Sequence, residues 1–142
     1  MRHTQRRGFT LVELLAVMAL IMFLVGIVLY ASRGAMAKAD YTATQTLLQK
    51  HLAALDEYRV QKGAYPDYGA SPVNINETAA YKDVSNGVAR YLPDDDRTYV
   101  DAWGSGIRYV RASNYLMYLY SWGPNGVDES GLGDDLRTDR QF

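Results

Sequence analysis

One carboxylate, Glu13, stands at the start of a long apolar run. From Leu14 to Ser32 no residue is charged at neutral pH. A helix of about 20 apolar residues is long enough to cross a bilayer, and a charged side chain at its centre costs on the order of 2.5 to 3.5 kcal/mol on insertion scales. The spacing therefore predicts a membrane segment with Glu13 near its edge, where the carboxylate requires a partner.

A second group of chemically capable residues lies near the C-terminus. Carboxylate, amide and hydroxyl oxygens alternate there with glycines, and the residues are Asn125, Asp128, Ser130, Asp134 and Asp135. Hard oxygen ligands in a flexible loop suit Ca²⁺, although the spacing is not that of an EF-hand. The alternative is a solvated acidic turn. Because the chain has no cysteine, a bound ion is one way to attach this loop to the rest of a small domain.

Residues for catalysis are scarce. The chain has no cysteine nucleophile, and its two histidines are His3, before the apolar run, and His51, which the pattern predicts to be a solvated helix residue. The stretch from Gly104 to Gly106 lacks the spacing of a nucleophile elbow. The sequence therefore predicts a protein that is not an enzyme.

The charge distribution predicts the orientation of the chain in the membrane and argues against nucleic acid as a partner. Arg2, Arg6 and Arg7 precede the apolar run, so the positive-inside rule predicts a cytoplasmic N-terminus and an exported C-terminal part. Lysine and arginine number 15 against 16 aspartates and glutamates. Since three of those arginines precede Gly8, the remainder is mildly acidic and is not expected to bind nucleic acid.

The elements that position these residues follow from periodicity and from turn residues. Helical periodicity continues beyond the apolar run to Lys62, with leucines on one stripe, and Gly63 followed by Pro66 ends it. Residues 63–101 are predicted to be a connecting region with a short helix near 78–84 and no strands. Two strands are predicted beyond it, at 107–111 and 115–120, and the amphipathic half of the helix should cover one face of their sheet.

Two alternatives for the N-terminus remain open. A basic start, an apolar stretch and the Ala-Met-Ala sequence at 35–37, which resembles a cleavage site, would also fit a secretory signal peptide that releases a binding or catalytic domain. The apolar stretch is longer than the usual 7 to 15 residues, however, and a signal peptide gains nothing from Glu13. The second alternative is a plain membrane anchor with an incidental glutamate.

The segment from Gly8 to Leu15, Gly-Phe-Thr-Leu-Val-Glu-Leu-Leu, closely resembles the processing site of type IV prepilins and of type II secretion pseudopilins. The resemblance implies cleavage by prepilin peptidase after Gly8 and N-methylation of Phe9. It also implies that Glu13 pairs with the N-terminal amine of a neighbouring subunit. The predicted domains are a leader at 1–8, a transmembrane and assembly helix at 9–32, and a pilin-like periplasmic domain at 33–142.

Further along, the chain is similar to the major pseudopilin, the type II secretion protein G family. Asp101 to Gly104 resembles that family's Asp-Pro-Trp-Gly element, and Leu119 to Gly126 its Ca²⁺-binding loop, with Asn125 where an aspartate is usual. The resemblance implies Ca²⁺ held by the side chains of Asn125, Asp128, Asp134 and Asp135 and by a carbonyl of Trp122 or Ser130. The 33–142 domain then divides into an amphipathic helix at 33–62, a connecting region at 63–101, and a sheet with the calcium-type loop at 102–142.

The expected fold is α+β and pilin-like, with a long N-terminal helix packed on a small antiparallel sheet. The resemblance implies a structural subunit of a type II secretion pseudopilus that polymerises with copies of itself in the periplasm and drives protein export. Its expected partners are prepilin peptidase, minor pseudopilins and the inner-membrane assembly platform. The same-class alternative is a type IV pilin of a surface pilus for adhesion, motility or DNA uptake.

Overall fold

The computed structural model describes residues 9–69, 71–93 and 98–139. Two compact units divide the chain, Met1–Lys38 and Ala39–Phe142. Gly8, on the leader side of the expected cleavage, lies outside the described residues. The α+β prediction is confirmed, since the chain contains one long N-terminal helix and a small antiparallel sheet.

The first unit consists of the start of helix α1, Leu11–Lys62. Its large apolar side chains, from Phe9 to Tyr30, are exposed. Within the described part of the chain, α1 is the helix that is long and apolar enough to cross a membrane. These exposed side chains are therefore the ones that would face lipid.

Helix α1 ends where the sequence predicts. The backbone N–H of Gly63 donates to the carbonyl of Arg59 at 2.8 Å, and Gly63 has a φ of 84°. This left-handed conformation is easy for glycine and strained for other residues, so Gly63 terminates the helix at little cost.

The second unit contains a four-stranded antiparallel sheet in the order β1-β2-β3-β4. Its strands are Val73–Asn74, Arg108–Arg111, Met117–Ser121 and Leu136–Arg137. Strands β2 and β3 form a hairpin in which Arg108 lies opposite Tyr120 and Arg111 opposite Met117. The predicted pair of strands is confirmed, but the predicted second strand, 115–120, begins two residues before the start of β3 and ends one residue before its end.

The sheet and the second half of α1 share one hydrophobic core. The helix contributes Leu48, Ala54 and Leu55, and the sheet contributes mainly aromatic and branched side chains that alternate along β2 and β3. The principal members are Tyr109 of β2, Met117 and Leu119 of β3, and Ile107 immediately before β2. Because the inward side chains alternate with a period of two, a shift of one residue in either strand would expose them.

The connecting region is more ordered than predicted. The expectation that it contains no strands is wrong, because β1 at Val73–Asn74 pairs with β2. It also holds helix α2, Ala79–Lys82, at the expected position. Two 3₁₀ turns flank that helix, Ile75–Glu77 and Val88–Tyr91. A strand of two residues shows no alternation in the sequence, and its position is set by the neighbouring strand instead.

Candidate functional site

At the N-terminus Glu13 is paired with Thr10 of its own chain. The Glu13 Oε2 atom accepts hydrogen bonds from the Thr10 backbone N–H and from the Thr10 hydroxyl, both at 2.9 Å. In return the backbone N–H of Glu13 donates to the Thr10 Oγ1 at 3.3 Å. This is a capping box, in which a threonine before the helix and a glutamate three residues later satisfy each other's free donors.

Phe9 precedes this cap and is 78% exposed. It lies outside helix α1, which begins at Leu11. The bond expected to be cut therefore lies next to a residue that precedes the helix.

The C-terminal loop, residues 122–135, brings Asn125 and Asp134 into direct contact. The Asn125 Nδ2 donates to the Asp134 Oδ1, and the Asn125 backbone N–H donates to the Asp134 Oδ2 at 3.3 Å. The side-chain oxygen of Asn125 accepts from the Val127 backbone N–H at 2.6 Å. The amide of Asn125 thus closes the loop on itself, joining residues nine positions apart.

Asp128 ties the same loop to strand β3. Its Oδ1 accepts from the Tyr120 hydroxyl at 3.0 Å and from the Ser130 backbone N–H at 2.9 Å. Burial, together with this hydrogen bond, raises the pKa of Tyr120 above its ordinary value, so the phenol stays a donor at neutral pH.

Asp135 is the most deeply placed carboxylate of the loop, with 1% of its surface exposed. Its Oδ2 accepts from the backbone N–H groups of Gly131 at 2.7 Å and Glu129 at 3.1 Å, while its Oδ1 is buried and has no hydrogen-bond partner. Burial raises the pKa of the Asp135 carboxyl, and the charges of Asp128 and Glu129 raise it further. The two N–H donors lower this pKa, but they do not cancel the increase.

These features bear on whether the loop fits a cation. The Asp135 Oδ1 is buried without a hydrogen-bond partner, and the carboxylates of Asp128 and Glu129 act on it. A hard divalent ion would bind this oxygen and offset the repulsion among the three carboxylates. Among residues 9–69, 71–93 and 98–139, no group of three or more His, Cys, Asp or Glu is arranged to hold a metal ion. Any ion here would therefore depend on Asp135, on one other carboxylate and on neutral oxygens.

Two family models match the chain. Residues 3–29 match the prokaryotic N-terminal methylation motif, and residues 32–138 match protein G of the type II secretion system. The chain belongs to the type II secretion system protein G family. It is a structural subunit of a type II secretion pseudopilus that carries the prepilin processing motif, and its apolar N-terminal helix indicates anchoring in the inner membrane.

Curated relatives align with nearly the whole chain. The type II secretion system core protein G of Klebsiella pneumoniae is 29% identical over 139 residues, covering 93% of each chain. That of Escherichia coli K12 is 29% identical, covering 96% of this chain and 93% of its own. The Pseudomonas aeruginosa protein is 27% identical, with 95% and 94% covered. No solved structure matches the chain.

Trp122 and Ser130, the residues predicted to contribute carbonyls, each shape one part of the loop. The guanidinium of Arg108 lies 4.8 Å from the centre of the Trp122 ring, a cation–π contact that fixes the start of the loop against β2. Ser130 has a positive φ of 59°, which reverses the chain between Asp128 and Asp135. No observation tests their carbonyls as metal ligands, and that role stays a prediction.

The sequence reasoning missed Glu129. Its Oε2 accepts from the Asp134 backbone N–H at 3.0 Å, and a Cβ on Gly133 would lie 1.7 Å from that atom. Gly133 therefore leaves space for the carboxylate of Glu129. The spacing between Glu129 and Gly133 was the available signal, because glycine is the residue that permits such a close approach.

The sequence identified Asp101 as the start of a motif but did not predict its role, which is to support the first residues of the loop. Its Oδ1 accepts from the backbone N–H groups of Trp103 and Ser105, and its Oδ2 accepts from the Ser121 hydroxyl at 2.5 Å. The Ser121 Oγ in turn accepts from the Gly123 backbone N–H at 3.1 Å. This buried chain of hydrogen bonds explains why an aspartate begins the motif that resembles the family's Asp-Pro-Trp-Gly element.

The prediction that His51 is solvated is wrong. His51 has 0% of its surface exposed, and its Nε2 lies 2.8 Å from the carbonyl oxygen of Thr98. Its ring packs against Tyr81 and Tyr99. The histidine is on the side of α1 that faces the connecting region, a contact that a helix pattern alone does not reveal.

Proposed function

We propose that prepilin peptidase cuts the chain between Gly8 and Phe9 and that the new Phe9 amine is methylated. The observation that carries this proposal is the match of residues 3–29 to the N-terminal methylation motif. The exposed position of Phe9 ahead of helix α1 supports it, because a peptidase binds extended backbone more readily than a formed helix.

The mature subunit then spans the inner membrane once, with its C-terminal domain in the periplasm. The three arginines at positions 2, 6 and 7 support this orientation through the positive-inside rule. From the membrane it enters a helical filament of identical subunits, guided by the assembly platform and by minor pseudopilins. A contact between unlike surfaces, repeated along a screw axis, produces an open fibre of this kind.

Glu13 sets the axial position of each subunit by pairing with the Phe9 amine of its neighbour. Thr10 donates two hydrogen bonds to the Glu13 Oε2 atom, but it is neutral and leaves the charge of the carboxylate uncompensated. In an apolar helix bundle an unpaired carboxylate is costly, and an ammonium group from the next subunit offsets that cost.

Mass spectrometry of the N-terminus tests the processing step. Protein purified from the inner membrane of cells with prepilin peptidase should begin at a methylated Phe9, and protein from cells without the peptidase should keep residues 1–8. A mature chain that starts at Lys38 would contradict the proposal and support the signal-peptide alternative.

Calcium binding by the C-terminal loop is a second part of the proposal. Asp135 would contribute the oxygen that lacks a hydrogen bond, and Asp128 would add a second carboxylate. Asn125 and Asp134 are hydrogen-bonded to each other and would hold the loop closed around the ion. When bound, the ion would attach the loop to the sheet in place of a disulfide.

A thermal melt of a fragment that begins at Ala39 tests this binding. Ligand at 100 times its Kd stabilises the folded state by about 2.7 kcal/mol, which should raise the Tm by several degrees in a domain of this size. We expect that increase with Ca²⁺, reversal by a chelator, and a much smaller response in Asp135→Asn.

Glu57→Gln is the matched control for that melt, because it removes one carboxylate from an exposed position on α1. It should respond to Ca²⁺ as the wild type does. No increase in the wild-type Tm at millimolar Ca²⁺, or equal increases in the wild type and Asp135→Asn, would rule out the site.

A further inference from the structure

Two asparagines in the chain are followed by glycine, Asn86 before Gly87 and Asn125 before Gly126. This dipeptide is chemically labile, because the side-chain Cγ of asparagine can be attacked by the next backbone nitrogen. Glycine at the second position has no Cβ to obstruct the attack or to restrict the backbone. The sequence does not distinguish the two sites, but their surroundings differ.

The backbone at Gly87 is held in place. Its N–H donates to the Asp83 carbonyl at 2.9 Å, and an added Cβ would lie 2.0 Å from the carbonyl oxygen of Ala80. Gly87 is buried. The nitrogen that would attack Asn86 is therefore engaged in a hydrogen bond, and the rotation needed for ring closure would collide with the backbone of helix α2.

The backbone at Gly126 is less constrained. A Cβ built there has nothing within 4 Å, and Asn125 and Gly126 are both exposed. The Gly126 N–H donates to the Gly123 carbonyl at 3.4 Å, a long contact that is weak by the usual geometric criteria. The attacking nitrogen is accessible, and the turn has space to rotate.

The Asn125 side chain is also activated. The Val127 N–H donates to the Asn125 Oδ1 at 2.6 Å. A donor at this oxygen stabilises the negative charge that forms on it when a nucleophile adds to Cγ, which is the principle of an oxyanion hole. The Nδ2 group of the amide donates a hydrogen bond to Asp134. It is the group that would leave.

We propose that Asn125 is a site of spontaneous deamidation in the folded protein and that Asn86 is protected. The Gly126 nitrogen loses its proton and forms a bond to the Asn125 Cγ. The bond from Cγ to Nδ2 breaks, ammonia leaves with the proton, and a succinimide ring remains. Water then opens either carbonyl of the ring, which gives aspartate or isoaspartate at position 125 with no change of oxidation state.

The product alters the contact that closes the C-terminal loop. The Nδ2 donor to Asp134 is lost, and a carboxylate takes its place beside the carboxylate of Asp134. Like charges at this distance repel, so the turn at 123–126 separates from Asp134. The reaction itself requires no metal ion, and peptide mapping detects its product whether or not the loop binds calcium.

Peptide mapping of the aged full-length protein tests the proposal. The purified chain is held in detergent at mildly alkaline pH and sampled over weeks, and the peptides that contain positions 86 and 125 are compared by mass spectrometry. We expect the acidic products at position 125, aspartate and isoaspartate, to accumulate at least several-fold faster than those at position 86. The same incubation in concentrated urea should bring the two rates together.

Asn125→Gln is the matched variant, because glutamine keeps the amide but closes a ring much more slowly. Its C-terminal peptide should show no product over the same period, while the slow rate at position 86 stays unchanged. Equal rates at the two sites in the folded protein, faster reaction at position 86, or no reaction at either site would overturn the proposal.

Discussion

Glu13→Gln is expected to leave membrane insertion intact and to abolish filament assembly. Glutamine can occupy the third position of a capping box as glutamate does, so the hydrogen bonds to Thr10 should persist. Only the negative charge is removed. If that charge pairs with the amine of a neighbouring subunit, its loss removes the attraction that sets the axial position.

Two companion variants separate charge from capping. Glu13→Ala removes both and should also insert without assembling. Thr10→Ala removes the hydroxyl contacts of the cap, which costs about 0.5 to 2 kcal/mol of helix stability, but keeps the charge. We expect it to assemble, with less filament than the wild type.

Electron microscopy of filaments from cells that overproduce each variant, with membrane fractionation in parallel, measures both outcomes. Normal filaments from Glu13→Gln together with none from Thr10→Ala would show that the glutamate acts through the helix cap. In that case the charge-pairing role is wrong, although the location of Glu13 at the helix start remains correct.

Leu55→Ala is expected to have the largest effect on folding. Leu55 is 0% exposed and belongs to the core that α1 shares with the sheet. Leucine-to-alanine changes in such positions cost about 2 to 5 kcal/mol, because the removed methyl groups leave a cavity. Against a total stability of roughly 5 to 15 kcal/mol, this is enough to lower the Tm of the fragment from Ala39 by about 8 to 20 °C, at about 4 °C per kcal/mol.

Val60→Ala is the control on the same helix, since Val60 is 72% exposed. Surface changes of this kind usually stay within about 0.5 kcal/mol. Urea unfolding of the fragment should therefore separate the two variants clearly. Similar midpoints for Leu55→Ala and the wild type would mean that α1 does not contribute to the core as described.

The N-terminal half of the molecule was predictable because its signals are local. Uninterrupted helical periodicity and the Gly63 stop give α1 the bounds Leu11–Lys62, and the charge pattern predicts the membrane segment. The capping box was readable in principle, since Thr10 and Glu13 have the required spacing. Its significance was hidden by the stronger resemblance to a processing site.

The second half depends on contacts that a linear pattern does not contain. Strands β1 and β4 have two residues each, too few to show alternation, and each exists because a longer strand lies beside it. His51 is buried because residues 98 and 99 return to the helix after a long connection. Such long-range contacts determine burial more strongly than local propensity does.

The composition of the sequence located the candidate loop, but it predicted the roles of the loop residues only in part. Asn125, Asp128, Asp134 and Asp135 do lie in one loop, but they bind mainly backbone N–H groups and each other. An acidic residue among glycines has the same composition whether it holds an ion or a turn. Only the Asp135 oxygen without a partner distinguishes the two uses.

The exposed apolar surface of the first unit affects the free energy of filament growth. The large apolar side chains of residues 14–32 are exposed among the residues that the structure describes, so in the proposed assembly they would exchange lipid tails for the side chains of neighbouring copies. Both surroundings are apolar, and helices gain little hydrophobic free energy by leaving lipid. Apolar burial alone should then contribute little to filament growth, so most of the assembly free energy should come from polar and domain contacts such as the proposed pairing of Glu13.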